Sequence, residues 1–199
     1  MGKLVAQHLG YQLVDTGMMY RAVTWLALER QVDLHDEAAL ARLAEGSAIT
    51  LEDGQLFVDG TDVTDQLRSS EVGEAVSLVS RVPGVRKAMV ALQRELAREG
   101  GVVMVGRDIG TVVLPDAPLK VYLDASPEER VRRRHQELVE AGRDITVQQV
   151  RDELARRDAI DSERATSPLR PAEGAVIIDT DHLSLNEVVE RILELVSCR

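Results

Sequence analysis

The chain has 199 residues, of which 44% are hydrophobic, and it carries a formal net charge of −10 at pH 7. A chain of this size builds one main domain and leaves room for a small inserted subdomain, while its acidity argues against a nucleic-acid polymer or an anionic membrane as the main partner. The single cysteine, Cys198, excludes an internal disulfide, and because the sequence holds no long apolar run or leader-like segment we expect a cytoplasmic protein.

Helical and strand periodicity alternate along the whole chain. Apolar residues spaced three to four apart predict helices, and short continuous apolar runs predict strands covered on both faces. The predicted helices are, in chain order, residues 4–10, 19–27, 36–44, 71–80, 85–98, 128–141, 144–157 and 184–196. The predicted strands of the main sheet are residues 11–14, 102–105, 119–123 and 175–178. This order predicts an open, mostly parallel α/β sheet with helices on both faces.

Turn chemistry refines this prediction at three places. Residues 49–63 alternate in short runs around Asp-Gly pairs, which predicts a small antiparallel β insert. The helix near residue 36 is expected to take its N-cap near Asp33 or His35. Pro127 begins the long, charged helix that follows the third main strand.

Polar residues follow three of the predicted strands, where parallel α/β sheets bind their ligands. These segments are Asp15-Thr16-Gly17, Gly106-Arg107-Asp108 and Asp124-Ala125-Ser126. An Asp-Thr-Gly triplet is by itself a common helix start capped by the aspartate, but its extension to Arg21 is more specific. We therefore expect the functional site at this edge of the sheet.

Four segments of the chain resemble the cytidylate kinase family, and the resemblance covers essentially the whole sequence. The segments are residues 15–21, 106–113, 124–130 and 157–165, of which Gly-Arg-Asp-Ile-Gly-Thr-Val-Val is the most diagnostic. The resemblance implies a P-loop nucleoside-monophosphate kinase fold that transfers the γ-phosphate of ATP to CMP or dCMP. It also implies a core formed by residues 1–46 and 87–199, a helical lid over about 126–165, and a CMP-binding insert over 47–86.

The resemblance implies roles for four polar residues of the first half. Thr16 and Arg21 would contact the nucleoside monophosphate, one through a hydroxyl and the other through a charged fork to the phosphate. Ser77 and Arg86 match positions that reach the cytosine and the phosphate side of the CMP pocket. The alternatives are a helix-capping or solvated serine and a surface arginine.

Arg107 and Asp108 follow the second main strand and carry the most weight among the implied catalytic residues. Arg107 would hold CMP from the strand end, and Asp108 would orient that arginine and the pentose or phosphate end of the ligand. A surface salt bridge is the alternative interpretation, which a glycine-flanked turn at the ligand edge of a sheet disfavours.

The charged helix after the third strand carries three candidate lid arginines. Arg130 and Arg134 lie four residues apart on one helix face, with Arg133 adjacent. The resemblance implies that they bind ATP and screen the charge of the moving phosphoryl group. The alternative is a solvated helix face on which neighbouring glutamates neutralise the arginines.

Three more residues match family positions that close over the monophosphate. Asp161 would help to place cytosine or ribose, whereas Arg157 and Arg164 would hold the phosphate, and Arg157 also counts among the implied catalytic residues. The local sequence departs from the family pattern at Ala159-Ile160, where charged residues are common. A second departure is Val105, where the family generally has aspartate.

The P-loop of such kinases is a Gly-x-x-x-x-Gly-Lys-Ser/Thr string that cradles phosphates and supplies a hydroxyl to Mg²⁺. This string does not occur in the 199 residues, since Leu4 follows Gly2-Lys3 where a hydroxyl is required. On the family pattern the loop lies upstream of Met1 and its strand lies between strands 102–105 and 119–123. The expectation is therefore a truncated sequence, inactive by itself, whose intact form uses ATP with Mg²⁺.

Two rival functions stay open at this point. One is another small-acceptor P-loop kinase, such as an adenylate or shikimate kinase, which the insert and the 106–113 string disfavour. The other is a catalytically dead CMP-binding module. For the cytidylate kinase prediction the expected partners are the small nucleotides CMP or dCMP and ATP, and we expect a monomer.

Overall fold

The computed structural model of the chain describes residues 1–52, 54–162 and 170–198, without the side chains of residues 157 and 160–162. The chain divides into two compact units, Gly2–Pro115 and a second that begins at Asp116. In the part of the chain so described, no helix combines the length and the apolar character needed to cross a bilayer.

The first unit contains five helices and five strands in the residues that the structure describes. They are α1 (Gly2–Leu9), β1 (Gln12–Asp15), α2 (Thr16–Glu29), α3 (Glu37–Gly46), β2 (Ile49–Glu52), β3 (Gln55–Val58), β4 (Thr61–Asp62), α4 (Ser70–Ser80), α5 (Pro83–Ala97) and β5 (Val102–Val105). A short 3₁₀ turn at Gln66–Arg68 and a wider helical turn at Ile109–Val113 complete the unit.

Strands β1 and β5 pair in parallel, with Gln12 opposite Val102 and Asp15 opposite Val105. The two strands therefore end at the same level, so the residues that follow them start from one edge. Strands β2, β3 and β4 form a separate antiparallel sheet, as the sequence predicts for the insert. The α/β fold class is confirmed.

The core of the first unit joins the β1–β5 pair, the helices and the insert. Val14 of β1, Met19 of α2 and Leu40 of α3 are almost completely buried. Leu56 and Val58 of β3 belong to the same cluster, so the insert packs into the common core. This shared burial fixes the insert relative to α2, which carries Thr16 and Arg21.

The N-cap of α3 differs from the prediction. Asp36 is the capping residue, and its carboxylate accepts from the backbone N–H of Ala39 at 2.9 Å. Asp33 instead accepts from the N–H of His35 at 2.9 Å in a turn before the helix. Two aspartates three residues apart compete for one role, and the one directly before the first helical residue takes it.

The second unit contains β6 (Val121–Asp124), α6 (Pro127–Glu140), α7 (Val147–Ser162), β7 (Val176–Asp179) and α8 (Leu185–Ser197). Strands β6 and β7 pair in parallel, so the predicted parallel strands form two pairs, one in each unit. Ser126 caps α6, with Pro127 in its first turn. Val131 and Leu138 of α6 pack with Val150 of α7 in a small apolar cluster.

Helix α5 approaches α3 closely at Gly84. A Cβ at this position would lie 2.4 Å from the Cβ of Ala41, which leaves no room for a methyl group. We expect Gly84→Ala to lower the free energy of unfolding by about 1–3 kcal/mol, because the helices must move apart. Urea denaturation followed by circular dichroism measures the change.

Gly46 is the matched control for Gly84, since it is also helical and a Cβ there would meet no atom within 4 Å. Gly46→Ala should raise the free energy of unfolding by up to about 1 kcal/mol, because it reduces the entropy of the unfolded chain. Equal effects of the two substitutions would show that the α3–α5 contact is not tight.

Candidate active site

The ends of β1 and β5 are tied together by Thr16. This residue is 3% exposed, and its Oγ1 donates a hydrogen bond to the carbonyl of Val105 at 3.0 Å. Asp15 caps α2 by accepting from the N–H groups of Gly17 and Met18, as the helix-start interpretation predicts. The Asp-Thr pair thus starts a helix and joins two strand ends at the same time.

Gly106 lies directly against Thr16. A Cβ on Gly106 would be 2.2 Å from the Oγ1 of Thr16 and 2.8 Å from the Cδ1 of Ile109. The glycine is therefore required for space, since its backbone conformation is not a left-handed one. It lets the chain turn from β5 into Arg107 and Asp108 while it touches α2.

A buried ion pair lies just beyond this turn. The Nη2 of Arg86, on α5, donates to the Oδ2 of Asp108, and the two side chains are 7% and 11% exposed. The Nη1 of Arg86 donates to the carbonyl of Ser80 at 3.3 Å, and the guanidinium lies 5.5 Å from the ring centroid of Tyr20. The cation is thus held by a carboxylate, a carbonyl and an aromatic face, which together compensate its burial.

Arg21 and Ser77 lie on the helices next to this pair. Nη1 of Arg21 donates to the carbonyl of Leu67 at 3.0 Å, which links α2 to the 3₁₀ turn that follows β4. Ser77, on α4, is 7% exposed, so the solvated-serine alternative is wrong. The surface-arginine alternative is wrong for Arg86, which is 6% exposed.

Arg107 follows β5 and is exposed, so its side chain is accessible to a ligand from solvent. The predicted contact of Asp108 with Arg107 stays a prediction, whereas its contact with Arg86 is seen in the structure. Val105 packs near α1, where a Cβ on Gly2 would lie 2.7 Å from its Cγ1.

In the second unit, Arg130 and Asp158 join α6 to α7. The two terminal nitrogens of the Arg130 guanidinium bind the Asp158 carboxylate, with Nη2 to Oδ1 and Nη1 to Oδ2 each at 2.9 Å. The hydrogen bond that Arg130 donates to the Asp158 carboxylate raises the pKa of Arg130 above its usual value. The side chains are 38% and 36% exposed, which makes this a solvent-accessible pair.

Arg133 and Arg134 differ in their surroundings. Arg133 donates to the hydroxyl and the carbonyl of Thr180, at 3.0 and 2.5 Å, and to Glu129 at 2.7 Å. Arg134 binds Glu137 at 2.8 Å on the helix surface. Arg133 and Arg134 are therefore each paired with a glutamate, as the alternative interpretation of the sequence proposes.

Glu129 is the centre of this charge pairing on α6. It accepts from Arg132 at 2.6 and 2.7 Å as well as from Arg133. The hydrogen bond from Arg132, and to a smaller degree that from Arg133, lowers the pKa of Glu129 to about 2. The carboxylate is therefore ionised throughout the neutral pH range and holds both guanidinium groups in place.

Three of the predicted site residues lie outside what the structure describes. Arg157 and Asp161 belong to α7, but their side chains are not described, and the whole of Arg164 falls between the described ranges. Their implied contacts with the monophosphate stay predictions.

Sequence reasoning missed three residues that shape the site. Tyr20 stacks against Arg86, Ser80 gives it a carbonyl, and Arg94 binds the carbonyls of Val112 and Val113. Tyr20 lies one helical turn after Thr16, a spacing that places both on one face and could have indicated it. The other two contacts carry no local sequence signal.

An α/β fold of this kind, with parallel strand pairs flanked by helices and a small antiparallel sheet, belongs to the nucleoside-monophosphate kinase class. Sequence comparison narrows the class. The family model described as Cytidylate kinase matches residues 1–198, and the chain belongs to that family.

Curated relatives agree with this assignment. The chain is 53% identical to the "Cytidylate kinase" of Geobacillus sp. (strain WCH70) over 99% of its own length and 90% of the relative's. It is 50% identical to the proteins of that name from Bacillus subtilis (strain 168) and Pelotomaculum thermopropionicum, over 98% of the chain and 88% of each relative. The predicted kinase family is confirmed, and neither rival function is favoured.

Proposed function

We propose that this protein transfers the γ-phosphate of ATP to CMP or dCMP and so forms CDP or dCDP. The observation that supports this most directly is the convergence of three distant segments within the first unit. Thr16 binds the end of β5, Arg86 binds Asp108 beyond that strand, and Tyr20 stacks on Arg86. Buried guanidinium and hydroxyl groups beside an exposed Arg107 suit a small, polar, anionic acceptor.

In this proposal the first unit binds the acceptor. Arg21 and Arg107 hold the phosphate of CMP, with the hydroxyl of Thr16 as a further hydrogen-bonding group. Ser77 and Arg86 serve the cytosine and the phosphate side of the CMP pocket. Asp108 keeps the guanidinium of Arg86 in place, so that this cation is fixed before the ligand arrives.

The second unit supplies the charge that phosphoryl transfer requires. Arg130 and Arg134 of α6, together with Arg157, screen the moving phosphoryl group, and Arg133 takes part on the ATP side. Asp161 and Arg164 act on the monophosphate. Catalysis then comes from positioning and charge screening of an in-line transfer, without a covalent intermediate.

ATP as the donor, with Mg²⁺, is inferred from the family. Within the described ranges no group of three or more His, Cys, Asp or Glu residues could hold a metal ion, and the P-loop string does not occur in the sequence. No step of the proposal is assigned to Mg²⁺. We further propose that the protein works as a cytoplasmic monomer in pyrimidine nucleotide metabolism.

Calorimetric titration of the 199-residue chain with CMP, dCMP and AMP tests the acceptor assignment. We expect one site that binds CMP or dCMP at least about tenfold more tightly than AMP, because a site built to hydrogen-bond one base leaves polar groups unpaired with another. A folded chain that does not bind CMP, or that prefers AMP, would contradict the proposal.

Arg21 and Arg30 provide a matched pair of variants for this test. Arg21→Met should weaken CMP binding about tenfold or more, because a charge-assisted contact to phosphate is lost. Arg30 follows the same helix and forms an exposed ion pair with Asp59, so Arg30→Met should leave the affinity unchanged. Equal losses in the two variants would point to general electrostatic attraction instead of a defined phosphate contact.

A further inference from the structure

Arg94 of α5 binds the end of the turn that carries the diagnostic 106–113 string. Its Nε donates to the carbonyl of Val113 at 2.9 Å, and its Nη2 donates to the carbonyl of Val112 at 2.8 Å. These carbonyls are at the C-terminal end of the helical turn Ile109–Val113, where partial negative charge accumulates. A guanidinium fork satisfies two of them at once.

The same helix also holds the other end of this segment. Arg86 binds Asp108, the residue directly before the turn, and lies eight residues before Arg94 on α5. At the rise of an α-helix the two arginines are separated by about 12 Å along the axis. The segment 108–113 is therefore fixed to α5 at both ends by guanidinium groups.

Backbone hydrogen bonds within the turn connect the residues that Arg94 binds to Asp108. The carbonyl of Asp108 accepts from the N–H groups of Val112 and Val113 at 2.9 and 3.3 Å, and the N–H of Leu114 donates to the carbonyl of Ile109 at 2.7 Å. These hydrogen bonds couple the backbone of Val112 and Val113 directly to Asp108, and wide turns of this kind are rare and often lie at functional sites. Movement at Val112 and Val113 would therefore shift the backbone of Asp108, and with it Arg107.

We infer that Arg94 is a positioning residue for the acceptor site: it holds the 108–113 turn in the conformation in which Arg107 and Asp108 meet the nucleoside monophosphate. The inference rests on the proposed function. If the turn reaches this conformation only part of the time, the apparent affinity for the ligand falls by the populated fraction. Arg94 itself is an exposed residue.

The test compares Arg94→Met and Arg94→Lys with the unaltered chain. Methionine keeps the apolar stem and removes the donors, whereas lysine keeps the charge and can reach one carbonyl. Calorimetry with CMP should give a dissociation constant roughly five- to tenfold higher for Arg94→Met and an intermediate value for Arg94→Lys, with binding stoichiometry near one in both. Urea denaturation of the same samples reports global stability.

Arg98 is the control on the same helix. It is exposed and forms an ion pair with Glu95, away from the turn, so Arg98→Met should bind CMP as the unaltered chain does. A purely structural role for Arg94 would lower the stoichiometry or the stability and leave the dissociation constant unchanged. That result, or an equal loss of affinity in Arg98→Met, would overturn the inference.

Failure of the proposed function gives a different result. If the unaltered, folded chain does not bind CMP, the acceptor assignment itself is wrong. If the unaltered chain binds CMP and Arg94→Met binds it equally well, only the role of Arg94 is wrong. Amide hydrogen exchange at Val112, Val113 and Leu114 adds a ligand-free readout, in which Arg94→Met should exchange faster at these three positions.

Discussion

Arg86→Met should lower the free energy of unfolding by about 3–5 kcal/mol and abolish measurable CMP binding, because it leaves Asp108 as an uncompensated buried charge. Counted over the whole residue, Arg86 is 6% exposed and Asp108 is 8% exposed, so water has little access to replace the lost partner. Asp108→Asn should have a similar but smaller effect, since the neutral amide still offers a hydrogen-bond acceptor. Urea denaturation and calorimetry with CMP give the two quantities.

A double-mutant cycle measures how much the contact between Arg86 and Asp108 itself contributes to stability. The double variant Arg86→Met with Asp108→Asn should be more stable than the sum of the single losses predicts, because neither charge is then left alone. The exposed pair Arg30–Asp59 serves as the comparison, and its coupling should be about 1 kcal/mol or less. Additive losses at Arg86 and Asp108 would mean that their contact contributes little to stability.

Gly106→Ala is expected to damage stability and binding together. The new methyl group would lie 2.2 Å from the Oγ1 of Thr16 and 2.8 Å from the Cδ1 of Ile109, so the end of β5 and the start of α2 must separate. We expect a loss of about 2–3 kcal/mol in unfolding free energy. CMP affinity should fall more than about tenfold, because Thr16 and Arg107 lose their relative placement.

Adding Thr16→Ala to this variant tests the cause. It removes the oxygen nearest the new methyl group, so part of the lost stability should return, whereas CMP binding should not recover. If Gly106→Ala unfolds at the same urea concentration as the unaltered chain, the close contact between Gly106 and α2 is not rigid.

Features of the fold with a local sequence signal could be predicted well. Val102–Val105 is a continuous apolar run and forms β5, and Pro127 after Ser126 marks the start of α6. The N-cap of α3 was predicted wrongly because Asp33 and Asp36 both have the side chain that a cap requires. The choice between them depends on where the backbone turns, which composition does not specify.

The sequence named candidate site residues, but it did not predict how their side chains are arranged. Resemblance to the family indicated Arg86 and Asp108, but not that they bind each other, since they lie 22 positions apart and meet only after α5 and β5 have packed. The contact of Arg94 with Val112 is equally remote in sequence. Periodicity reports which face of a helix is buried, and it carries no information on which distant carbonyl or carboxylate that face meets.

The Arg130–Asp158 pair joins α6 to α7 through the same guanidinium nitrogens that the proposed function assigns to a phosphate ligand. An anion that binds Arg130 must displace a carboxylate that already occupies both nitrogens of the fork. Because the pair is open to solvent, breaking it costs about 1 kcal/mol or less. In the proposed function, a phosphate ligand would therefore bind Arg130 at a small cost, and the pair would form again each time the ligand leaves.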